Sequence, residues 1–118
     1  MNLKSFTYPE EEKLKSKKLI KKVFEEGKTI KSFPILIRYT EHEENRHKVG
    51  VSVPKRNFKN AVDRNQIKRQ LREAYRLNQH ELTDFGSKFA VMITYIGKKK
   101  VASVKIHETL KSLLKELT

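Results

Sequence analysis
The spacing of apolar residues changes repeatedly along the chain, and each change marks an element. Leu19, Ile20, Val23 and Phe24 fall on one side of a 3.6-residue repeat, which predicts a helix over Lys17 to Glu26. Ser16 is placed to cap that helix and Gly27 to end it. Over residues 29–40 the period shortens to two. Phe33, Ile35, Ile37 and Tyr39 alternate with Pro34, Leu36 and Arg38, which predicts a strand with Pro34 at its start or on an edge. The polar run Glu41 to His47 predicts a turn. Val49, Val51 and Val53 then alternate with Gly50 and Ser52, a second strand expected to pair with the first as a hairpin. One of its faces is apolar. The other carries very small side chains and leaves room for something to lie against the sheet.

Pro54 closes that strand, and Lys55 to Asn60 forms a basic loop. A long helix follows from about Val62 to Asn78, with Ile67, Leu71, Ala74 and Tyr75 facing inward. Residues 80–87 read as a loop. Phe89 to Ile96 reads as an apolar strand, ended by Gly97 and three lysines. Ile106, Leu110, Leu113, Leu114 and Leu117 mark a last helix from Ser103 to about Leu117. The order α-β-β-α-β-α points to an α+β sandwich, with helices on a small mixed sheet. At 118 residues the chain makes one domain, with residues 1–13 a loosely ordered lead-in.

Charge changes this picture from a fold to a partner. Twenty-seven Lys and Arg stand against 14 Asp and Glu, a net charge of +13. Such an excess calls for a polyanion. Residues 55–76 hold eight of the basic residues and only Asp63 and Glu73 as counter-charges. On the long helix Arg64, Lys68, Arg72 and Arg76 recur every four residues, a stripe beside the apolar face, with Asn65 and Arg69 next to it. Two acids are too few to neutralise it by ion pairs along the helix. Arginine's planar fork suits phosphate, and the helix N-terminus adds free N–H groups beside Lys55, Arg56 and Asn60.

Other chemistries lack their residues. No cysteine is present, which removes thiol catalysis, disulfides and Cys-ligated metals. His42, His47, His80 and His107 make no metal spacing, no glycine-rich phosphate loop occurs, and no catalytic carboxylate pair is spaced on one element. No catalytic side chain and no metal ligand is assigned. No apolar run is long enough to span a membrane, and the glutamates at 10–12 do not suit a secretory leader. A cytoplasmic protein without a membrane partner is expected.

The segment Ala61 to Glu73, AVDRNQIKRQLRE, resembles the signature of the bacterial ribonuclease P protein subunit, roughly A-V-x-R-N-x-x-K-R-x-x-R-E. The strand and loop Val49 to Arg56 and the first helix resemble the family as well, so the likeness covers nearly the whole chain. The resemblance implies a four-stranded sandwich with a left-handed strand–helix–strand crossover, against the common right-handed rule. It implies a partner, the catalytic RNA subunit, and a second, precursor tRNA, whose 5′ leader the assembly removes by hydrolysis. Catalysis would belong to the RNA, with Mg2+ held mainly there and no cofactor on the protein. By position, Lys55, Arg56, Asn60, Arg64, Asn65, Lys68, Arg69, Arg72 and Arg76 would contact RNA. Ile20, Phe24, Phe33 and Tyr39 would line a cleft for the single-stranded leader, where stacking tolerates any sequence.

The chain departs from the family pattern in places. Ile20 stands where many relatives carry the first of two aromatic residues, and a glycine before Ala61-Val62 is missing. Asn57 to Asn60 lengthens the loop and brings in Phe58. After the third strand, where some relatives carry Arg-Lys, this chain has Tyr95-Ile96-Gly97-Lys98, so the resemblance would shift the basic contact to Lys98, Lys99 or Lys100. Composition and the basic helix alone fit a structural RNA-binding protein equally well, such as a ribosome-associated one. A DNA-binding helix-turn-helix is disfavoured, because a valine strand precedes the basic helix where a short helix is required.

Overall fold
The computed structural model describes residues 13–42, 47–79 and 88–117. Residues 43–46 of the turn expected over Glu41 to His47, the loop at 80–87 and lead-in residues 1–12 lie outside them. Helix α1 (Lys17–Glu26) is capped by Ser16, whose hydroxyl accepts from Leu19 N at 3.3 Å. Strands β1 (Lys28–Ser32), β2 (Ile35–His42) and β3 (Lys48–Ser52) follow, then helix α2 (Ala61–Asn78), strand β4 (Lys88–Tyr95) and helix α3 (Ser103–Glu116). The four strands form one mixed sheet in the order β1-β2-β4-β3. The class is α+β, as the alternation of patterns predicts.

Two expectations are corrected. The strand expected over 29–40 is two strands, β1 and β2, folded back on each other around Phe33 and Pro34. Proline has no N–H for a ladder, so the pairing breaks there; the Phe33–Pro34 peptide is cis. The hairpin expected between the strand at 29–40 and the valine strand at 49–53 is also absent. β4 lies between β2 and β3, antiparallel to the one and parallel to the other. Its run Phe89 to Tyr95 is buried at every position, the mark of a strand covered on both faces and therefore central.

The register sorts the sheet into two faces. Ile35, Ile37 and Tyr39 share one face with Tyr95, Ile93 and Val91, and with Val49 and Val51. Helices α2 and α3 cover this side through Ile67, Leu71, Tyr75, Ile106, Leu110 and Leu114, forming the main core. The opposite face carries rows across three strands: Thr40–Ala90–Lys48, Arg38–Met92–Gly50 and Leu36–Thr94–Ser52. A smaller core of Leu14, Val23, Ala90 and Met92 attaches α1 to this side, with Leu19 and Ile20 packed against it. The room offered by Gly50 is taken by neighbours. A Cβ there would meet the Met92 methyl at 3.1 Å and Leu14 at 3.4 Å.

Gly27 ends α1 because of a close approach. Its backbone is extended (φ −72°), and its N–H donates to Val23 O. A Cβ would lie 2.2 Å from that same oxygen and 2.9 Å from Tyr39 O, so any side chain would drive α1 away from β2.

Candidate nucleic-acid interface
The basic loop and α2 are built as one unit. Asn60 caps the helix, its side-chain oxygen accepting from Val62 N at 2.8 Å. Arg64 Nη1 donates to the carbonyl oxygens of Phe58 and Lys59, each at 2.8 Å. Phe58 itself is buried against Tyr95 in the main core. The longer loop is thereby pinned from below by a ring and from the side by a guanidinium. Lys55, Arg56 and Lys59 are left exposed around it.

The basic residues of α2 fall into groups that the repeat alone does not separate. Asn65, Arg69 and Arg72 are exposed, and Lys68 is half-exposed. Arg76 is engaged with Glu73, its Nε donating to Oε2 at 3.0 Å. That contact holds the Glu73 carboxyl below its usual range, and Glu73 in turn raises the Arg76 guanidinium. Asp63 pairs with Lys100 at 2.7 Å. Both acids of the helix are thus neutralised, and Lys68, Arg69 and Arg72 keep their charge for an anion.

On the other side of the sheet, α1 presents Phe24, 49% exposed, while Val23 beside it is fully buried. Phe24 therefore stands outside the core. The Arg38 guanidinium lies 5.1 Å from its ring centroid, a cation–π pair. Ile20 lies farther along α1 in a depression with Leu14, Gly50 and Met92. The same depression is lined by Lys13, Lys15 and, from across the edge strand β3, Arg72. The α1 side of the sheet and the basic side of α2 are joined around that edge.

Two residues expected in the cleft stand elsewhere. Tyr39 lies on the opposite face, in phase with Ile35 and Ile37, packed edge-on against Phe89 with centroids 5.9 Å apart. The alternation that identifies Ile37 as core also puts Tyr39 there and Arg38 on the α1 side, so the signal was present in the sequence. Phe33, 65% exposed, sits in the turn before β2. Arg38, Lys13 and Lys15 are the residues that sequence reasoning missed. Lys13 belongs to the stretch read as lead-in, but the chain forms a bridge between it and Val49, and Lys15 lies between that bridge and the cap of α1. Among the described residues, no group of three acidic or histidine side chains is placed to hold a metal ion.

Comparison with known proteins fits this geometry. The Ribonuclease P family profile matches residues 8–118. The "Ribonuclease P protein component" of Porphyromonas gingivalis (strain ATCC 33277) is 41% identical over 83 residues, covering 68% of this chain and 61% of the relative. The chain thus spans under two thirds of that relative. The protein of the same description from Mycoplasma mycoides subsp. mycoides SC is 35% identical over 108 residues, covering 86% of this chain and 94% of the relative. The solved RNase P proteins of Thermotoga maritima and Staphylococcus aureus share the fold, with TM-scores of 0.77 and 0.75 at 22% and 21% identity. Each covers 91% of this chain, and 98% and 95% of the respective structure.

Proposed function
The chain belongs to the ribonuclease P protein family, and on that premise we propose that it is the protein subunit of a ribonuclease P ribonucleoprotein in the cytoplasm. It binds the catalytic RNA through α2 and its preceding loop: Lys55, Arg56, Lys68, Arg69 and Arg72 meet phosphates, and Asn65 adds a hydrogen-bonding amide. Arg64 holds the loop in register for them. The 5′ leader of precursor tRNA lies against α1 and the sheet, with Phe24, Ile20 and Arg38 as its contacts. The RNA carries out the hydrolysis with Mg2+ that it holds itself, and the protein supplies affinity for leader and RNA together.

One observation carries this reading. Ile20 and Arg72 line a single depression around the edge of β3. A single strand lying on α1 therefore runs directly onto the surface that takes the larger RNA. Aromatic and cationic groups side by side suit single-stranded RNA, because a base stacks on a ring while phosphates meet the cations.

Titration with ribonuclease P RNA tests the first half of the proposal. Binding should weaken steeply with salt, by about 0.7–0.9 log units in K per log unit of salt for each phosphate met. A precursor tRNA should bind the assembled complex more tightly than mature tRNA. Equal binding of both tRNAs would remove the leader from the reading and leave a structural RNA-binding protein.

A further inference from the structure
The turn between β4 and α3 is tied down more firmly than a connection requires. The Tyr95 ring is fully buried, and its hydroxyl donates to Lys99 O. Gly97 is packed so closely that a Cβ would lie 3.1 Å from the Tyr95 ring and 3.2 Å from Pro34. Lys100 then reaches across to the first turns of α2. Its ammonium donates to Gln66 Oε1 at 2.6 Å and meets Asp63 Oδ1 at 2.7 Å. Two residues earlier, Lys98 lines a depression with Pro54, Arg56, Asn57 and Ile96. Among the described residues, its lining has two cationic side chains from different segments and no carboxylate. Two like charges lining one depression disfavour each other, and an anion bound there offsets that repulsion.

We propose that Lys100 is a positioning residue: by docking on Asp63 and Gln66 it fixes the turn so that Lys98 faces Arg56, and the two receive one RNA phosphate. The inference rests on the RNA-binding reading above. It gives Lys100 a role different from that of the other exposed lysines. Lys100 acts through where it holds Lys98, and its own charge is spent on Asp63.

The role is separable from simple charge by the sign of one substitution. Asp63→Ala makes the protein more positive, so a pure charge effect tightens RNA binding. If Lys100 is a positioning residue, the same change frees the turn and weakens binding. The experiment measures the affinity for ribonuclease P RNA, at one moderate salt concentration, of the wild type and of Lys98→Ala, Lys100→Ala, Lys100→Arg, Asp63→Ala and the Lys98→Ala/Lys100→Ala pair. Thermal unfolding confirms that each is folded, as an exposed ion pair adds little to stability. Losses of about three- to tenfold are expected for Lys98→Ala, Lys100→Ala and Asp63→Ala, the scale of one phosphate contact. The double variant should lose little more than Lys98→Ala alone, and Lys100→Arg should restore binding. Tighter binding by Asp63→Ala, or losses that multiply in the double variant, would overturn the inference while wild-type binding stands. A wild type that does not bind the RNA would overturn the RNA-binding reading and this inference with it.

Discussion
The guanidinium of Arg38 lies 5.1 Å from the ring centroid of Phe24, joining the centre of strand β2 to the outer side of helix α1. Neither residue is buried, and the pair stands beside the small apolar core that attaches α1 to this face of the sheet. A guanidinium plane and a phenyl ring in this arrangement offer stacking surface and positive charge at one place. Phe24→Ala should weaken binding of precursor tRNA to the assembled complex by about 5- to 100-fold, the range for one lost base stack. It should leave mature tRNA binding and thermal stability nearly unchanged. Equal losses for both tRNAs, measured by equilibrium binding, would move Phe24 out of the leader site.

Arg64 and Arg69 sit five residues apart on α2 and should fail differently. Arg69 is exposed, so Arg69→Ala should lower affinity for the RNA subunit and leave the protein otherwise unaltered. Arg64 holds the carbonyl groups of Phe58 and Lys59. Arg64→Ala should lower affinity and also speed amide hydrogen exchange in the loop from 55 to 60. Unchanged exchange there would make Arg64 a plain contact residue like Arg69.

Gly27 is a steric requirement, since its φ of −72° is open to any residue. Gly27→Ala should destabilise the fold by about 1–3 kcal/mol, the usual cost of forcing a methyl into a filled site. Denaturant unfolding measures this directly. Full stability in the variant would show that α1 moves without cost.

Tyr95 gives the alkaline behaviour a sign. Burial raises its phenol above the ordinary 10.0, outweighing a backbone hydrogen bond to Val101 that acts the other way. A raised value means the unfolded chain ionises first. The stability that Tyr95 contributes is fully present below about pH 10 and is lost as pH rises through the raised value. The stability difference between the wild type and Tyr95→Phe should therefore shrink from about pH 10 upward. A constant difference in thermal unfolding across that range would contradict the assignment.

The elements were legible because each buried face repeats cleanly. Val23 on α1, Ile67 and Leu71 on α2, and Leu110 and Leu114 on α3 all lie where the period puts them. Strand order was not legible, because pairing depends on which strand is covered twice. The run from Phe89 to Tyr95 held that information in its lack of polar alternation. The basic site was legible as a stripe, but its division was not. That Arg76 is spent on Glu73, or that Lys100 crosses to Asp63, is decided by side chains meeting in space. The misplacement of Tyr39 has a simpler cause. Its aromatic character outweighed its phase, and phase decides which face a strand residue joins.

The central claim is that this chain assists an RNA that does the chemistry. It is tested most directly by adding the purified protein to a bacterial ribonuclease P RNA and a precursor tRNA at low Mg2+, with protein-only and RNA-only controls. The account predicts rapid release of the 5′ leader when both are present, slow release by RNA alone and none by protein alone. Leader release by the protein alone, or no stimulation of an RNA that it demonstrably binds, would contradict it.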